Sequence, residues 1–345
     1  MDIPERFADE AALEDYLSTP SEALTAAMKR LDGDIMILGI AGKMGVTLGR
    51  RALNAARAAG VNKKVFGAAR FSDPAARAKL DQHGITTIAC DLLDPQAVAE
   101  LPRVRNVIFM AGRKFGTEGS EDLTWAMNVL APYHAAEHFR QSRFVAFSTG
   151  CVYPLVPAAS GGCPETTAPE PVGEYAQSCL GRERILQYAA RRNGTKMLFF
   201  RLNYAIDLRY GVLHDIATAV WRGEKVNNSV GCFNIIWQGS ANEAALRALE
   251  YTGNPPRILN VTGPETLTVT AAAETFGRLF GKKVEYLHET PGDRCYLNNA
   301  AAMTELFGPP EISPEQMIRW QADWLRSGGE SLNKPTHFEV NNGKF

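Results

Sequence analysis

The segment that most constrains the fold is a glycine-spaced turn between a short apolar run and a helical pattern. The run "DIMILG" (34–39) ends in glycine, as a buried parallel strand does. In the next residues, "GIAGKMG", three glycines (Gly39, Gly42 and Gly45) are evenly spaced, and a helical pattern follows over 44–59. Glycines let the backbone turn tightly and approach a pyrophosphate, which then sits on the N-terminal end of the helix. This order of strand, turn and helix predicts a dinucleotide-binding site.

Strand and helix patterns alternate from this point through the larger part of the chain. Strands are predicted at 34–39, 63–70, 86–90, 106–112, 144–149 and 196–203, and helices at 44–59, 73–83, 95–101, 121–140 and 174–192. Such alternation is typical of units in which each helix connects two parallel strands. We therefore predict an α/β fold with a Rossmann-type doubly wound parallel sheet.

The segments on either side of this alternation predict further structural units. Beyond residue 205, helices near 212–222, 240–251, 268–280, 298–306 and 313–326 mix with short strands at 233–237, 257–261 and 283–287. The predicted organisation is a helical arm (1–33, with helices at 8–17 and 21–31 and Ser21 as an N-cap), a dinucleotide-binding domain (34–205 and about 240–263), a smaller C-terminal α+β substrate lobe (206–239 and 264–330) and a tail (331–345). We expect the tail to lie on the surface or in a partner.

Composition excludes several classes of partner. The 37 basic and 38 acidic residues nearly cancel, which gives no support for binding to nucleic acid or to an anionic membrane. The six cysteines include no C-x-x-C pair, so we expect neither a zinc site nor a disulfide framework. No signal-peptide pattern and no apolar run of about 20 residues is present. These features predict a protein of the reducing cytoplasm.

The end of the second predicted strand bears on the choice of dinucleotide. An acidic residue there would bind a ribose 2′-hydroxyl, whereas an arginine suits a 2′-phosphate. The sequence reads "GAARFS", with Arg70 and Ser72 and no carboxylate. Because a guanidinium forms forked, charge-assisted contacts with phosphate, we expect NADP to be preferred over NAD.

Further motifs lie directly after the predicted strands or in the helices that follow them. They are Asp91-Leu92, "MAG" (110–112), Asn128, "STGCVYP" (148–154) and Tyr175. With the glycine turn, they resemble the extended short-chain dehydrogenase/reductase superfamily over about 34–310, in the branch of NAD(P)-dependent sugar epimerases and dehydratases. Besides Arg70 and Ser72, the predicted cofactor-binding residues are Gly39, Gly42, Lys43, Met44, Gly45, Asp91, Leu92, Met110, Ala111, Gly112 and Asn128.

The resemblance also implies catalytic roles. In that superfamily a serine or threonine orients the reacting oxygen, a tyrosine transfers its proton, and a lysine lowers the tyrosine pKa and holds the cofactor ribose. Thr149, with Ser148 beside it, matches the hydroxyl residue, and Tyr175 matches the acid or base. Cys179 stands where the lysine is expected, so it is either a participant in the chemistry or a packing residue.

Loss of the lysine has a calculable cost. A tyrosine with a pKa of about 10 costs about 4 kcal/mol to ionise at pH 7. Oxidation of an alcohol needs that base, whereas reduction of a carbonyl can use the neutral phenol as an acid. Arg182, two helical turns from Tyr175, and Arg113 and Lys114 after the fourth strand are candidates to supply the missing positive charge.

The substrate is less constrained than the cofactor. Nucleotide-sugar members of the superfamily carry a Gly-Pro turn where this chain reads "RLNYAIDLRYG" (201–211), so we expect a small sugar, polyol or sugar acid instead. Lys114, Asn203 and Arg209 are the predicted substrate-binding residues. The arginines of this segment either line a polar pocket for the substrate or form buried structural ion pairs, and the sequence is compatible with both roles.

Other hypotheses remain open at this point. Without the lysine, the chain could be a catalytically silent NADP sensor, or a redox-neutral lyase or dehydratase on the same fold. By resemblance, helices 121–140 and 174–192 would pair in a homodimer. The segment "HAAEH" (134–138) matches a zinc-ligand pattern, but its place in a packing helix favours a structural role, so no metal is expected.

Overall fold

The computed structural model describes residues 3–116 and 118–343. The strands are β1 (Ile35–Leu38), β2 (Val65–Ala69), β3 (Thr86–Ala89), β4 (Asn106–Phe109), β5 (Arg143–Thr149), β6 (Val156–Pro157), β7 (Met197–Leu202), β8 (Ala205–Ile206), β9 (Cys232–Phe233), β10 (Ile236–Trp237), β11 (Arg257–Val261), β12 (Leu267–Thr268) and β13 (Arg294–Cys295). The α-helices are α1 (Glu10–Ser18), α2 (Glu22–Arg30), α3 (Gly45–Ala58), α4 (Pro74–Gln82), α5 (Pro95–Ala99), α6 (Glu121–Trp125), α7 (Ala131–His138), α8 (Gly173–Asn193), α9 (Val212–Arg222), α10 (Gln238–Arg247), α11 (Val269–Phe280), α12 (Ala301–Phe307) and α13 (Pro314–Arg326). In the described ranges, no helix is long and apolar enough to span a membrane.

A parallel sheet organises the molecule. Within the described residues, seven strands form it in the order β11-β7-β5-β4-β1-β2-β3, and every neighbouring pair is parallel. The strand order reverses between β1 and β4, so the loops after these strands diverge and leave a crevice at their carboxyl ends. The predicted Rossmann-type doubly wound sheet is confirmed.

The segment predicted as one helix over 121–140 is divided. A π-helical turn, Ala126–Leu130, separates α6 from α7, and Pro132 lies in the first turn of α7. Proline has no N–H to donate to the carbonyl of Asn128, four residues earlier. The Nε of Arg182 donates to that carbonyl instead, at 3.1 Å. A single α-helix is therefore wrong for this segment, because the proline interrupts its hydrogen bonds.

The N-terminal arm packs onto the body of the protein. The side chain of Ser21 accepts a hydrogen bond from the amide of Leu24, which confirms Ser21 as the N-cap of α2. Leu13 and Leu17 of α1 are fully buried in one hydrophobic cluster with Trp320 of α13. The arm thus contributes to a core that it shares with the C-terminal part of the chain.

Two strand predictions beyond residue 205 are wrong. The segment 233–237 falls into β9, which pairs antiparallel with β12, and β10, which pairs parallel with β8. The segment 283–287, which is fully described, forms only an isolated bridge between Tyr286 and Val226. Pairing partners in this region lie far along the chain, so the local pattern does not reveal them.

No disulfide framework was expected, and the described residues contain a single disulfide. Cys232 of β9 and Cys295 of β13 form it, with their Cα atoms 5.9 Å apart and a separation of 63 positions in sequence. No local spacing motif marks such a pair. The remaining cysteines, all of them in described segments, are buried and free (Cys90, Cys151, Cys163 and Cys179).

The C-terminal tail is built into the fold, contrary to the expectation that it lies on the surface or in a partner. The amide and hydroxyl of Thr336 both donate to Oδ2 of Asp215, at 2.9 and 2.5 Å. Phe338 is 5% exposed, and its ring packs on Phe233 with centroids 6.3 Å apart. One buried aromatic ring and one buried carboxylate thus hold a segment whose sequence is otherwise polar.

Replacement of Phe338 by alanine is expected to lower the free energy of unfolding by about 3–4 kcal/mol, because a buried ring is lost and a cavity remains. Urea denaturation of the full chain measures this change. The control is Leu287→Ala, at a side chain that is 54% exposed, for which the change should stay within about 0.5 kcal/mol. Equally small effects for both variants would contradict the packing of the tail.

Candidate functional site

The turn after β1 requires glycine because neighbouring backbone lies very close. Gly39 has φ +91°, and a Cβ atom there would lie 2.6 Å from the amide nitrogen of Ala111. At Gly45, where α3 begins, a Cβ atom would lie 2.1 Å from the carbonyl oxygen of Ile40. No described side chain caps α3, so its first N–H groups are left for another acceptor. This arrangement fits a phosphate group.

A cavity of about 440 Å³, here called the outer cavity, runs from this turn across the ends of β2, β3 and β4. It brings together most of the predicted cofactor-binding residues, namely Gly39, Gly42, Arg70, Ser72, Asp91, Leu92, Met110, Ala111 and Gly112. A cavity lined by both a glycine turn and an arginine fits a dinucleotide with its pyrophosphate over the turn.

A second cavity of about 250 Å³, here called the inner cavity, adjoins the first. Both cavities are lined by Met110 and Gly112, which follow β4. The inner cavity collects the predicted residues Lys43, Met44, Lys114, Ser148, Thr149, Tyr175 and Asn203. The strand order explains this meeting, because β4 stands between β1 and β5 and their carboxyl ends share one edge.

Thr149 and Tyr175 are neighbours in the inner cavity. Thr149 ends β5, and its hydroxyl accepts a hydrogen bond from the amide of Cys151 at 3.2 Å. Burial raises the pKa of Tyr175 well above its usual value of 10.0, whereas its hydrogen bond with Thr149 and the charge of Arg182 lower it. The phenol is therefore neutral near pH 7 and can act as a proton donor.

Arg182 supplies the fixed positive charge near Tyr175. Its Nη1 donates to the carbonyl of Phe147 at 2.6 Å, and its Nη2 donates to Oδ1 of Asn128 at 2.8 Å. A Cβ atom on Gly112 would lie 2.6 Å from that Nη2, so the guanidinium needs a glycine there. Of the three cations considered from sequence, Arg182 is the one whose charge lowers the pKa of Tyr175.

Asn128 does not line either cavity. It is fully buried, accepts from the amide of Arg113 at 2.9 Å, and donates to the Arg113 carbonyl and to Ser178 Oγ at 2.9 Å each. Its assignment as a cofactor-binding residue is therefore corrected. Asn128 is a positioning residue, since it fixes the loop after β4 and the guanidinium of Arg182.

Cys179, which occupies the position of the expected lysine, lies behind Tyr175. It is 1% exposed and packs in a cluster with Val152, Tyr153 and Cys163. Burial raises the pKa of its thiol to about 11, so the thiol is protonated near neutral pH. Cys179 touches the tyrosine but does not line the cavity, an arrangement typical of a packing residue.

Two lysines reach the inner cavity from different loops. The Nζ of Lys43 donates to the carbonyl of Ala205 at 3.2 Å and lies 3.7 Å from the centroid of the Tyr210 ring. Burial lowers the pKa of Lys43 to about 7. The Nζ of Lys114 donates to the carbonyl of Thr336 at 3.0 Å, and burial lowers its pKa too.

Arg209 is not part of the site. Its guanidinium pairs with Asp207 at 2.9 Å and with Glu10 and Glu14 of α1 at 2.6 and 3.1 Å. The prediction that it binds substrate is wrong, and the alternative of a buried structural ion cluster holds. The cluster ties the N-terminal arm to the segment after β8.

The other predicted polar residues have defined partners. Asn203 lines the inner cavity, and its Nδ2 donates to Asn234 Oδ1 at 2.7 Å and to the Tyr296 carbonyl at 3.2 Å. Ser148 donates to Glu183 at 2.6 Å, within the buried Glu183–Arg201 ion pair. Thr149 is therefore the better placed of the two adjacent hydroxyl residues.

Several lining residues of the inner cavity were not predicted, and those with a polar side chain are Cys151, Tyr204, Tyr210 and Thr336. Tyr204 and Tyr210 stand in the segment "RLNYAIDLRYG", where an aromatic residue soon after a strand was the available signal. Thr336 had no local signal, because it reaches the cavity from the tail, 222 residues beyond Lys114.

The sequence matches one family model, described as the NAD dependent epimerase/dehydratase family, over residues 35–206. No curated protein sequence matches the chain significantly. The matched range runs from β1 to β8 and includes the glycine turn, Thr149 and Tyr175.

Solved structures share the fold. UDP-glucose 4-epimerase from Thermotoga maritima, with UDP-glucose, superposes with a TM-score of 0.70 at 18% identity, over 86% of this chain and 99% of that one. The UDP-glucose 4-epimerase from Thermus thermophilus, in complex with NAD, gives 0.68 at 20% identity over 85% and 99%. DesIV, a dTDP-glucose 4,6-dehydratase from Streptomyces venezuelae with NAD and TYD bound, gives 0.71 at 17% identity over 85% and 97%.

The family match covers the segment in which the outer and inner cavities meet, and the solved structures share the surrounding architecture. The segment 35–206 therefore belongs to the NAD dependent epimerase/dehydratase family, and the chain shares the fold of the solved epimerases and dehydratase.

Proposed function

We propose that the protein is an NADP-dependent oxidoreductase or epimerase of a small sugar, polyol or sugar acid. The observation that carries this proposal is the meeting of Thr149 and Tyr175 in a cavity that adjoins the glycine turn. A tyrosine beside a hydroxyl residue can orient a substrate oxygen and move its proton, and a binding protein without chemistry needs neither.

The outer cavity would hold the cofactor. The turn Gly39–Gly45 and the start of α3 would bind the pyrophosphate. Met110–Gly112 would lie beside the cofactor where it extends towards the inner cavity. When bound, the nicotinamide supplies or accepts a hydride. The roles of this chain are to hold the substrate carbon near that ring and to manage the proton.

Arg70 supports the preference for NADP over NAD. It follows β2, lines the outer cavity and is exposed. A guanidinium placed where a ribose 2′-phosphate would arrive can form two parallel hydrogen bonds with it. Ser72 lines the same wall and can add a hydroxyl donor.

Replacement of Arg70 by alanine is expected to weaken NADP binding by roughly 10–100-fold, the loss of one charge-assisted hydrogen-bonding group. NAD binding should change far less, since it lacks the phosphate. Calorimetry with both dinucleotides measures the two affinities. Arg77→Ala on α4, outside the outer cavity, is the matched control. Equal losses for NADP and NAD would refute the role of Arg70.

Tyr175 would act as the general acid. Its pKa, raised by burial, keeps the hydroxyl protonated, so it can donate its proton to a carbonyl oxygen as that carbon is reduced. Thr149 would donate a hydrogen bond to the same oxygen and fix its direction. Arg182 offsets part of the cost of a negative phenolate at the end of the step.

Tyr175→Phe is expected to lower turnover by roughly 100–10,000-fold, the usual contribution of a general acid, without weakening cofactor binding. NADPH oxidation, followed by absorbance, and calorimetry test the two parts separately. Tyr188→Phe, at an exposed position on the same helix, should leave both unchanged. Normal turnover in the Tyr175 variant would remove this residue from the mechanism.

The rate of alcohol oxidation should rise with pH. Alcohol oxidation needs the deprotonated phenol, and below the pKa this form increases tenfold for each pH unit. Because the pKa of Tyr175 is raised above 10.0, log kcat/KM for oxidation should climb with a slope of about 1 between about pH 6.5 and 9.5. A plateau near pH 7 would show that another group lowers this pKa.

A further inference from the structure

We propose that the inner cavity binds an anionic substrate, and that Lys43 and Lys114 hold its carboxylate or phosphate group. This inference rests on the proposed function in one respect, the placement of the substrate beside Tyr175. The binding of the anion requires no turnover, so it can be tested separately.

The wall of the inner cavity carries charges of one sign. In the described chain, the charged side chains that line it are all cationic: Lys43, Arg113, Lys114 and Arg182. Arg182 is committed to the Phe147 carbonyl and to Asn128, and Arg113 donates to the Gly116 carbonyl. A lysine ammonium carries three N–H donors and no acceptor, so Lys43 and Lys114 are suited to an anion that enters beside Tyr175.

The lysines come from the loops on either side of the crevice. Lys43 belongs to the turn after β1 and Lys114 to the loop after β4, the two strands at which the sheet order reverses. Both contact fixed protein carbonyls, of Ala205 and Thr336 respectively. These hydrogen bonds hold two lysine amines in one small space, and an anion bound there would favour their charged forms and offset their mutual repulsion.

The neighbouring carboxylates are engaged elsewhere. Asp207 is fully buried and pairs with Arg209 at 2.9 Å, and Asp215 accepts two hydrogen bonds from Thr336. Neither carboxylate lines the cavity. Their fields favour the charged form of Lys43, while burial and the charge of Lys114 oppose it. Because no carboxylate lines the cavity, a bound anion would add to the effects that favour the charged form of Lys43.

The size of the cavity limits the anion. A volume of about 250 Å³ lies below the range of roughly 300–1,000 Å³ found for sites of drug-sized ligands. Thr336 of the C-terminal tail forms part of the wall and accepts the hydrogen bond of Lys114. The substrate class that fits is a single small sugar acid or sugar phosphate rather than a sugar attached to a nucleotide.

The test is direct binding to the full-length protein saturated with NADP. The probes are D-glucuronate, D-glucose 6-phosphate and the neutral D-glucose, each titrated calorimetrically. At least one anion should bind about tenfold or more tightly than glucose, as expected for one charge-assisted contact. The tighter of the two anions distinguishes carboxylate from phosphate. If neither anion binds more tightly than glucose, the proposal is wrong.

Variants assign the effect to the lysines. Lys43→Met and Lys114→Met should each reduce the anion preference about tenfold, whereas Lys114→Arg keeps its charge and should retain most of it. Lys225→Met, at an exposed position outside the cavity, is the control. An unchanged preference in both methionine variants would overturn the proposal. Loss of NADP affinity alone in Lys43→Met would assign Lys43 to the cofactor and also overturn it.

The outcomes separate this inference from the proposed function. Anion binding that depends on both lysines, without turnover in either direction, would leave the subsite standing and count against catalysis by Tyr175. Turnover with a neutral sugar, unaffected by either methionine variant, would support catalysis and reject the subsite.

Discussion

The guanidinium of Arg182 is the interaction on which the site depends. It joins the π-helical turn, the end of β5 and helix α8 through hydrogen bonds to Asn128 and Phe147. Because Pro132 cannot donate to the Asn128 carbonyl, that acceptor is left for the arginine. The same charge lowers the pKa of Tyr175. One buried cation thus fixes the geometry around the tyrosine and also tunes its electrostatics.

The position of this cation bears on Cys179, which stands where the resemblance implies a lysine. Cys179 packs against Tyr175 in an apolar cluster, and a longer, charged side chain in that place would need both space and solvation. Arg182 lies two helical turns beyond Tyr175 and is already paired with backbone and amide acceptors. The arrangement favours a neutral tyrosine, and therefore proton donation, over a stable phenolate.

The C-terminal tail completes the cavities that the sheet begins, and the N-terminal arm braces a neighbouring segment. The arm is tied to the segment after β8 by Arg209 with Glu10 and Glu14, and the tail contributes Thr336 to the wall of the inner cavity. In a doubly wound fold the catalytic edge of the sheet is open, so covering segments decide how large a ligand can enter. Here the covering segments leave a small, positively charged space.

The candidate site could be predicted in large part from local patterns. The glycine turn, Arg70, Met110–Gly112, Thr149 and Tyr175 all line one of the two cavities. All but Tyr175, which lies at the start of α8, follow parallel strands, and the carboxyl ends of such strands meet at one edge. Asn128 and Arg209 were assigned wrongly, because a polar residue near a site can satisfy another part of the protein instead of a ligand.

The sequence by itself determined the sheet and the turn that can receive a pyrophosphate, because both depend on short-range periodicity or spacing, and its resemblance to a family indicated Thr149 and Tyr175. Only the tertiary structure decided which cation stands near Tyr175, how Cys232 and Cys295 pair, and that Thr336 closes the inner cavity. These features join residues that are far apart along the chain, and burial rather than local conformation selects their partners.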